Sequence, residues 1–123
     1  MCIFYCYPTP DAVGGIVWFS LDNPGQSPRV PVFCGVKDFP ALFDICGNHR
    51  YRDDAALWHY REANKLAAVK WGAFRQIMEK NIMYFEEKGQ RELPFVEAQY
   101  QQILKEKGED AARDFLTGYT GDF

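Results

Sequence analysis

Six of the seven prolines fall within the first 40 residues, and this distribution constrains the fold more than any other feature of the chain. Proline fixes φ and has no backbone N–H, so it confines this segment to turns, loops and edge strands. Beyond residue 50 only Pro94 remains, in a stretch rich in Ala, Glu, Lys and Gln at helical spacing. Neither half is large enough to bury a core of its own. The pattern predicts a single, partial α+β domain over residues 1–123, with residues 1–50 as its strand and loop part and residues 51–123 as its helical part.

Val13 to Leu21 is rich in β-branched and aromatic residues and predicts a strand. Gly14 and Gly15 near its start predict a bulge or a close approach of another segment to the backbone. Asp22-Asn23-Pro24-Gly25 is a strong turn signal, because Pro presets φ and Gly accepts positive φ. Arg29 to Gly35 predicts the returning strand, placed at a sheet edge by Pro28 and Pro31. Both strands are apolar at most positions, which suits a sheet covered on both faces.

A short helical turn is expected at Pro40 to Phe43. Asp53 has the residue type of an N-cap, and Asp54 adds negative charge where a helix dipole favours it. From there Leu57, Tyr60, Asn64, Ala67, Trp71, Phe74, Met78, Ile82 and Phe85 recur at spacings of three, four and seven, which predicts one long helix. It would run to about Lys88, roughly 50 Å at 1.5 Å per residue, with Gly72 as a tolerated weak point. Two further helices are expected at Leu93–Lys107, with Pro94 in the first turn, and at Glu109–Leu116, separated by Gly108.

A net charge of −3 without a run of Lys and Arg argues against nucleic acid or an anionic membrane as the main partner. No apolar stretch approaches the roughly 20 residues that span a bilayer. Residues 1–7 are apolar but lack a basic lead and are closed by Pro8, a poor signal peptide, so the compartment stays open. Four cysteines (2, 6, 34 and 46) read as free thiols, with a Cys2–Cys6 disulfide as the alternative.

Few residues are candidates for chemistry. Removal of Met1 would expose Cys2, whose own α-amine can act as base for the thiol, but Ile3-Phe4-Tyr5 reads as packing and not as a nucleophile's setting. Cys46-Gly47-Asn48-His49 has a metal-like separation, with Cys34 and His59 as further donors. It lacks the second compact pair of a structural site, so no metal is expected. Asn64 is more informative, because a side-chain amide on an apolar stripe must find partners or cost stability. Its partner is expected on a neighbouring loop. The cluster Arg50-Tyr51-Arg52-Asp53-Asp54 suits surface ion pairs, and Trp58, Trp71, Phe74 and Phe85 suit a core.

Several of these residues carry a resemblance. Asp11-Ala-Val-Gly-Gly-Ile-Val-Trp18, Asp22-Asn-Pro24, Ser27-Pro-Arg-Val-Pro31-Val-Phe33 and Tyr51-Arg-Asp-Asp-Ala-Ala-Leu-Trp58 leading to Asn64-Lys-Leu66 look like the carboxy-terminal part of the dipeptidase A and secernin family of cysteine peptidases. The likeness runs from about Asp11 to the chain end. It implies an N-terminal-nucleophile hydrolase, an αββα sandwich, of which this chain would supply a β-hairpin followed by a long helix and two shorter ones. It also implies hydrolysis of dipeptides by an amino-terminal cysteine, with no metal or organic cofactor.

Members of that family are several times longer, with the nucleophile far upstream of the segment resembled here, and the Arg and Asp expected soon after that cysteine do not follow Cys2. The chain therefore resembles a fragment or accessory piece. It would place Asp22, Asn23, Ser27 and Asn64 on the substrate side or in a structural role, without turnover of its own. The alternative is a non-catalytic interaction module derived from the same family. Either way, strand edges and apolar faces are expected to pair with another copy in a homo-oligomer.

Overall fold

A computed structural model describes the backbone of residues 2–5 and residues 9–123. In chain order the elements are β1 (Cys2–Tyr5), α1 (Asp11–Gly14), β2 (Gly15–Phe19), β3 (Val30–Phe33), α2 (Ala41–Asp44), α3 (Ala56–Val69), α4 (Trp71–Lys107) and α5 (Glu109–Asp122). The protein is α+β, an antiparallel β2–β3 hairpin followed by a long helix and shorter ones, with β1 added as a third strand. Trp18 stands opposite Cys2 on one side and Pro31 on the other. Strand order β1-β2-β3 leaves β3 at an end, where the missing N–H of Pro31 costs least. Cys6 lies outside the described residues, as does the side chain of Cys2, and with them the pairing of these two thiols.

The chain gathers into two compact units. One takes in the sheet, the turn up to Phe39 and residues 88–123. Its core is Val13, Ile16, Trp18, Phe33, Val96, Tyr100, Ala112 and Leu116. In α5 the buried Ala112, Leu116 and Thr120 recur every four residues and so share one face. That helix is tied to the chain beyond β3: Arg113 Nε donates to the Gly35 carbonyl (2.9 Å), and Lys37 Nζ meets Asp114 Oδ1 (2.7 Å). Glycine is required where Trp18 crosses α4, since a Cβ on Gly89 would lie 2.6 Å from the indole. The close approach expected near Gly14 and Gly15 is equally concrete: a Cβ on Gly15 would lie 2.6 Å from Cys34 Sγ.

The other unit comprises residues 20–29 and 40–87. The connection between β2 and β3, the α2 region, α3 and the first half of α4 build it, and the candidate site lies here.

Several element boundaries differ from the sequence pattern. Residues 11–14 form one helical turn, with the Val13 and Gly14 amides on the Pro10 carbonyl, so β2 starts only at Gly15. The long helix breaks at Lys70 (φ −142°, ψ 63°), between Val69 and Gly72, two residues of modest helix propensity. The Lys70 carbonyl then accepts the amides of Ala73 and Phe74 to start α4. Pro94 opens no separate helix but lies inside α4. There it forfeits one helical hydrogen bond, which burial of Val96 and Tyr100 just beyond it offsets. Asp53 does not cap α3; the cap position is Ala55, without a side-chain bond. Asp54 is engaged by Arg52 through two contacts of 2.8 and 2.6 Å, and the Asp53 carbonyl meets His59 Nε2 at 2.8 Å.

Candidate functional site

The connection after β2 turns sharply at Asp22, which holds a positive φ of 61°. Only Gly, Asn and Asp adopt that conformation at modest cost, the latter two because a short polar side chain can bond locally. The next residues close a tight turn: Asn23 Oδ1 accepts the Gly25 amide (3.0 Å) and the Asn23 carbonyl accepts the Gln26 amide (3.0 Å). The chain then delivers Ser27 to a position where it is 1% exposed.

Asn64 meets this loop from α3. It is 5% exposed, and its Nδ2 donates to Asp22 Oδ2 (2.9 Å) and to Ser27 Oγ (3.0 Å). One amide nitrogen with two hydrogens thus ties both ends of the turn to one helix. The carbonyl oxygen of the same side chain, Oδ1, is buried without a partner among the described residues. One turn earlier, Arg61 Nε donates to Asp22 Oδ1 (3.3 Å), so the carboxylate receives a different donor on each oxygen. The Arg61 guanidinium also lies 5.2 Å from the centre of the Trp58 ring, a cation–π arrangement that holds it in place.

The Trp58 indole extends this framework to the loop before α3. Its Nε1–H is shared by the carbonyls of Gly47 (2.7 Å) and Arg50 (3.0 Å), which fixes the 47–50 backbone. Gly47 has no room for a side chain, since a Cβ would lie 2.8 Å from the indole ring. Against this pinned loop opens a cavity of about 210 Å³ lined by Leu21, Leu42, Phe43, Ile45, Cys46, Gly47, Asn48 and Leu57. Leu57, Arg61 and Asn64 follow one another at helical spacing on α3, and Leu21 directly precedes Asp22. The apolar cavity and the polar tie therefore share the same two segments.

Of the residues singled out from sequence, the fold brings Asp22, Ser27 and Asn64 together. Asn23 instead shapes the turn, and Cys2 stands in β1 of the other unit. Sequence reasoning missed Arg61 and the cavity. Arg61 had a signal, its place three residues before Asn64 on one helical face; the cavity, built largely from an irregular loop, had none. Phe74, expected in a core, is 43% exposed. Among the described residues no three His, Cys, Asp or Glu side chains are grouped to hold a metal, and no helix is long and apolar enough to cross a membrane.

A family model described as peptidase family C69 matches residues 7–84, well over half of the chain. The chain belongs to peptidase family C69. No curated protein and no solved structure matches it. The C69 segment contains Asp22, Ser27, Arg61, Asn64 and the whole cavity lining, whereas Cys2 precedes it. The likeness read from sequence extended to the chain end, but the family match stops at residue 84, so α5 and the second half of α4 lie beyond it.

Proposed function

We propose that this C69 chain is the substrate-side part of a cysteine dipeptidase of the N-terminal-nucleophile type, and that it turns over no dipeptide by itself. The observation that carries the reading is the pair of hydrogen bonds that Asn64 donates to Asp22 and Ser27 within the family segment. Catalytic loops gain from this kind of support, because productive geometry must be held to a fraction of an ångström. Hydrolysis further needs an activated nucleophile, a base and oxyanion donors. Cys2, the candidate amino-terminal nucleophile, lies outside the family segment and lacks the Arg and Asp expected after it. The substrate is a dipeptide once a nucleophile-bearing part completes the site, with no cofactor, nucleic acid or membrane required.

A second reading, an interaction module that has left the chemistry behind, draws on exposed apolar residues of the helices, among them Leu66 and Val69 of α3 and Ile77 of α4. Both readings accommodate self-association.

The test incubates the purified chain, its amino terminus defined by mass spectrometry, with a mixed dipeptide panel and a thiol-directed inhibitor. The expected result is no turnover and an ordinary alkylation rate at Cys2. Turnover abolished by Cys2→Ala would overturn the proposal and make Cys2 the nucleophile of a minimal hydrolase.

A further inference from the structure

We propose that the cavity beside the Asp22 turn is a receptor for one uncharged, apolar side chain of a peptide ligand. The peptide part of this ligand rests on the dipeptidase reading; the apolar part rests on the cavity alone. Its walls carry Leu21, Leu42, Phe43, Ile45 and Leu57, and among the described residues no charged one lines it. An ionised side chain would enter without a counter-charge and lose its hydration, so it is excluded.

Size narrows the ligand further. A cavity of about 150 Å³ takes up benzene, whereas pockets for drug-sized molecules start near ~300 Å³. At about 210 Å³ this cavity matches a single leucine- or phenylalanine-sized group. Its shape is set before any ligand arrives. The indole of Trp58 pins the Gly47 carbonyl, and Phe43 packs edge-on against Tyr60 of α3 at a centroid distance of 6.5 Å. A preformed apolar site with few polar groups at its margin is the usual form of a small-ligand site. Here Asn48 supplies a polar side chain, and the Leu21–Asp22 step joins the cavity to the loop that Asn64 holds.

Cys46 lines the cavity and its thiol is free and exposed, which provides a direct readout. The experiment measures alkylation of Cys46 by peptide mass spectrometry, with Cys34 in the same sample as the internal reference. Alanyl-leucine, alanyl-phenylalanine, alanyl-aspartate, alanyl-lysine, glycylglycine and toluene are the added probes. Alanyl-leucine and alanyl-phenylalanine are expected to slow Cys46 alone, about tenfold at roughly ten times their dissociation constant by mass action. The charged dipeptides and glycylglycine are expected to leave the rate unchanged.

Leu42→Asp, at a position 47% exposed, should abolish the protection while the melting temperature holds. Equal protection by all dipeptides, or by none, would overturn the proposal. Toluene protecting where no dipeptide does would overturn the peptide ligand in particular. Because alkylation is read without turnover, hydrolysis at Cys2 would sink the proposed function and leave this result standing.

Discussion

Asn64 and Asp22, 42 residues apart in the chain, are joined by a 2.9 Å hydrogen bond in which the amide donates to the carboxylate. The same nitrogen reaches the buried Ser27 hydroxyl, so one side chain of α3 holds a turn whose first residue has a left-handed backbone. Asn64→Leu keeps the helix but leaves Ser27 Oγ without this partner. The expected loss is about 1–3 kcal/mol, the cost of an unsatisfied buried polar group. Urea denaturation reads the loss, and faster amide exchange at Gln26 locates it in the turn. Unchanged stability together with unchanged exchange would show that the amide does not hold the loop.

The face of α3 that carries Asn64 was legible from the sequence, because apolar residues at helical spacing leave a polar intruder conspicuous. Its partners were legible only as a turn; pairing across 42 residues leaves no local trace. The start of β2 was misplaced because Gly14 and Gly15 suit both a helical turn and a bulge. Pro94 misled for a different reason. Local rules start a helix there, yet packing of Val96 and Tyr100 carries α4 through it. The cavity was invisible because nothing in the pattern of residues 42–48 pairs them with Leu21 and Leu57, and the Cys46–His49 spacing points to a metal instead. Only the fold places Leu42, Phe43 and Ile45 with Leu21 and Leu57.

Gly47→Ala tests how firmly the cavity wall is fixed. The added methyl would lie 2.8 and 2.9 Å from the Trp58 ring and 3.3 Å from Ala55 Cβ, so the loop or the indole must shift. Overpacking of this kind typically costs about 1–3 kcal/mol. A lower melting temperature is expected, with a changed tryptophan emission as the indole loses its hold on the Gly47 carbonyl. A variant with the wild-type spectrum and stability would show that this loop is free to adjust.

Alkaline pH probes the other unit. Burial pushes the Tyr119 phenol far above its ordinary range, and the hydrogen bond to Glu92 Oε2 (2.8 Å) adds to the shift. Burial also raises Tyr100, with Glu109 adding to and Arg113 opposing the effect. The unfolded chain loses these protons near pH ~10, before the folded one does. Between the unfolded and folded values the native state therefore binds more protons, and stability falls as pH rises. The contribution is fully present below pH ~10 and is lost above it. Absorbance titration should show late-ionising tyrosines, one fewer in Tyr119→Phe, and denaturation midpoints should drop above that pH. Normal titration of every tyrosine would contradict this burial.

The last prediction concerns self-association. Val69 is 85% exposed, Leu66 62% and Ile77 54%, and Leu66 and Val69 are one helical turn apart on the same side of α3. Isolated exposed apolar residues are ordinary, but Leu66 and Val69 side by side on α3 offer apolar area that gains by being covered. In the other unit β3 ends the sheet and offers a strand edge, which Pro31 blunts at one position only. A second copy of the chain supplies an apolar surface of the same kind, and a twofold contact can be self-complementary. Light scattering at micromolar concentration is expected to give a mass above 14.2 kDa. Association through apolar surface should survive high salt, whereas one held by exposed ion pairs would weaken. Leu66→Lys combined with Val69→Lys should shift the protein toward monomer without unfolding it, since both positions are exposed and lysine favours a helix. A monomer for the wild type would remove self-association, and an unchanged oligomer in the double variant would move the contact away from α3, leaving the edge of β3 as the surface to test.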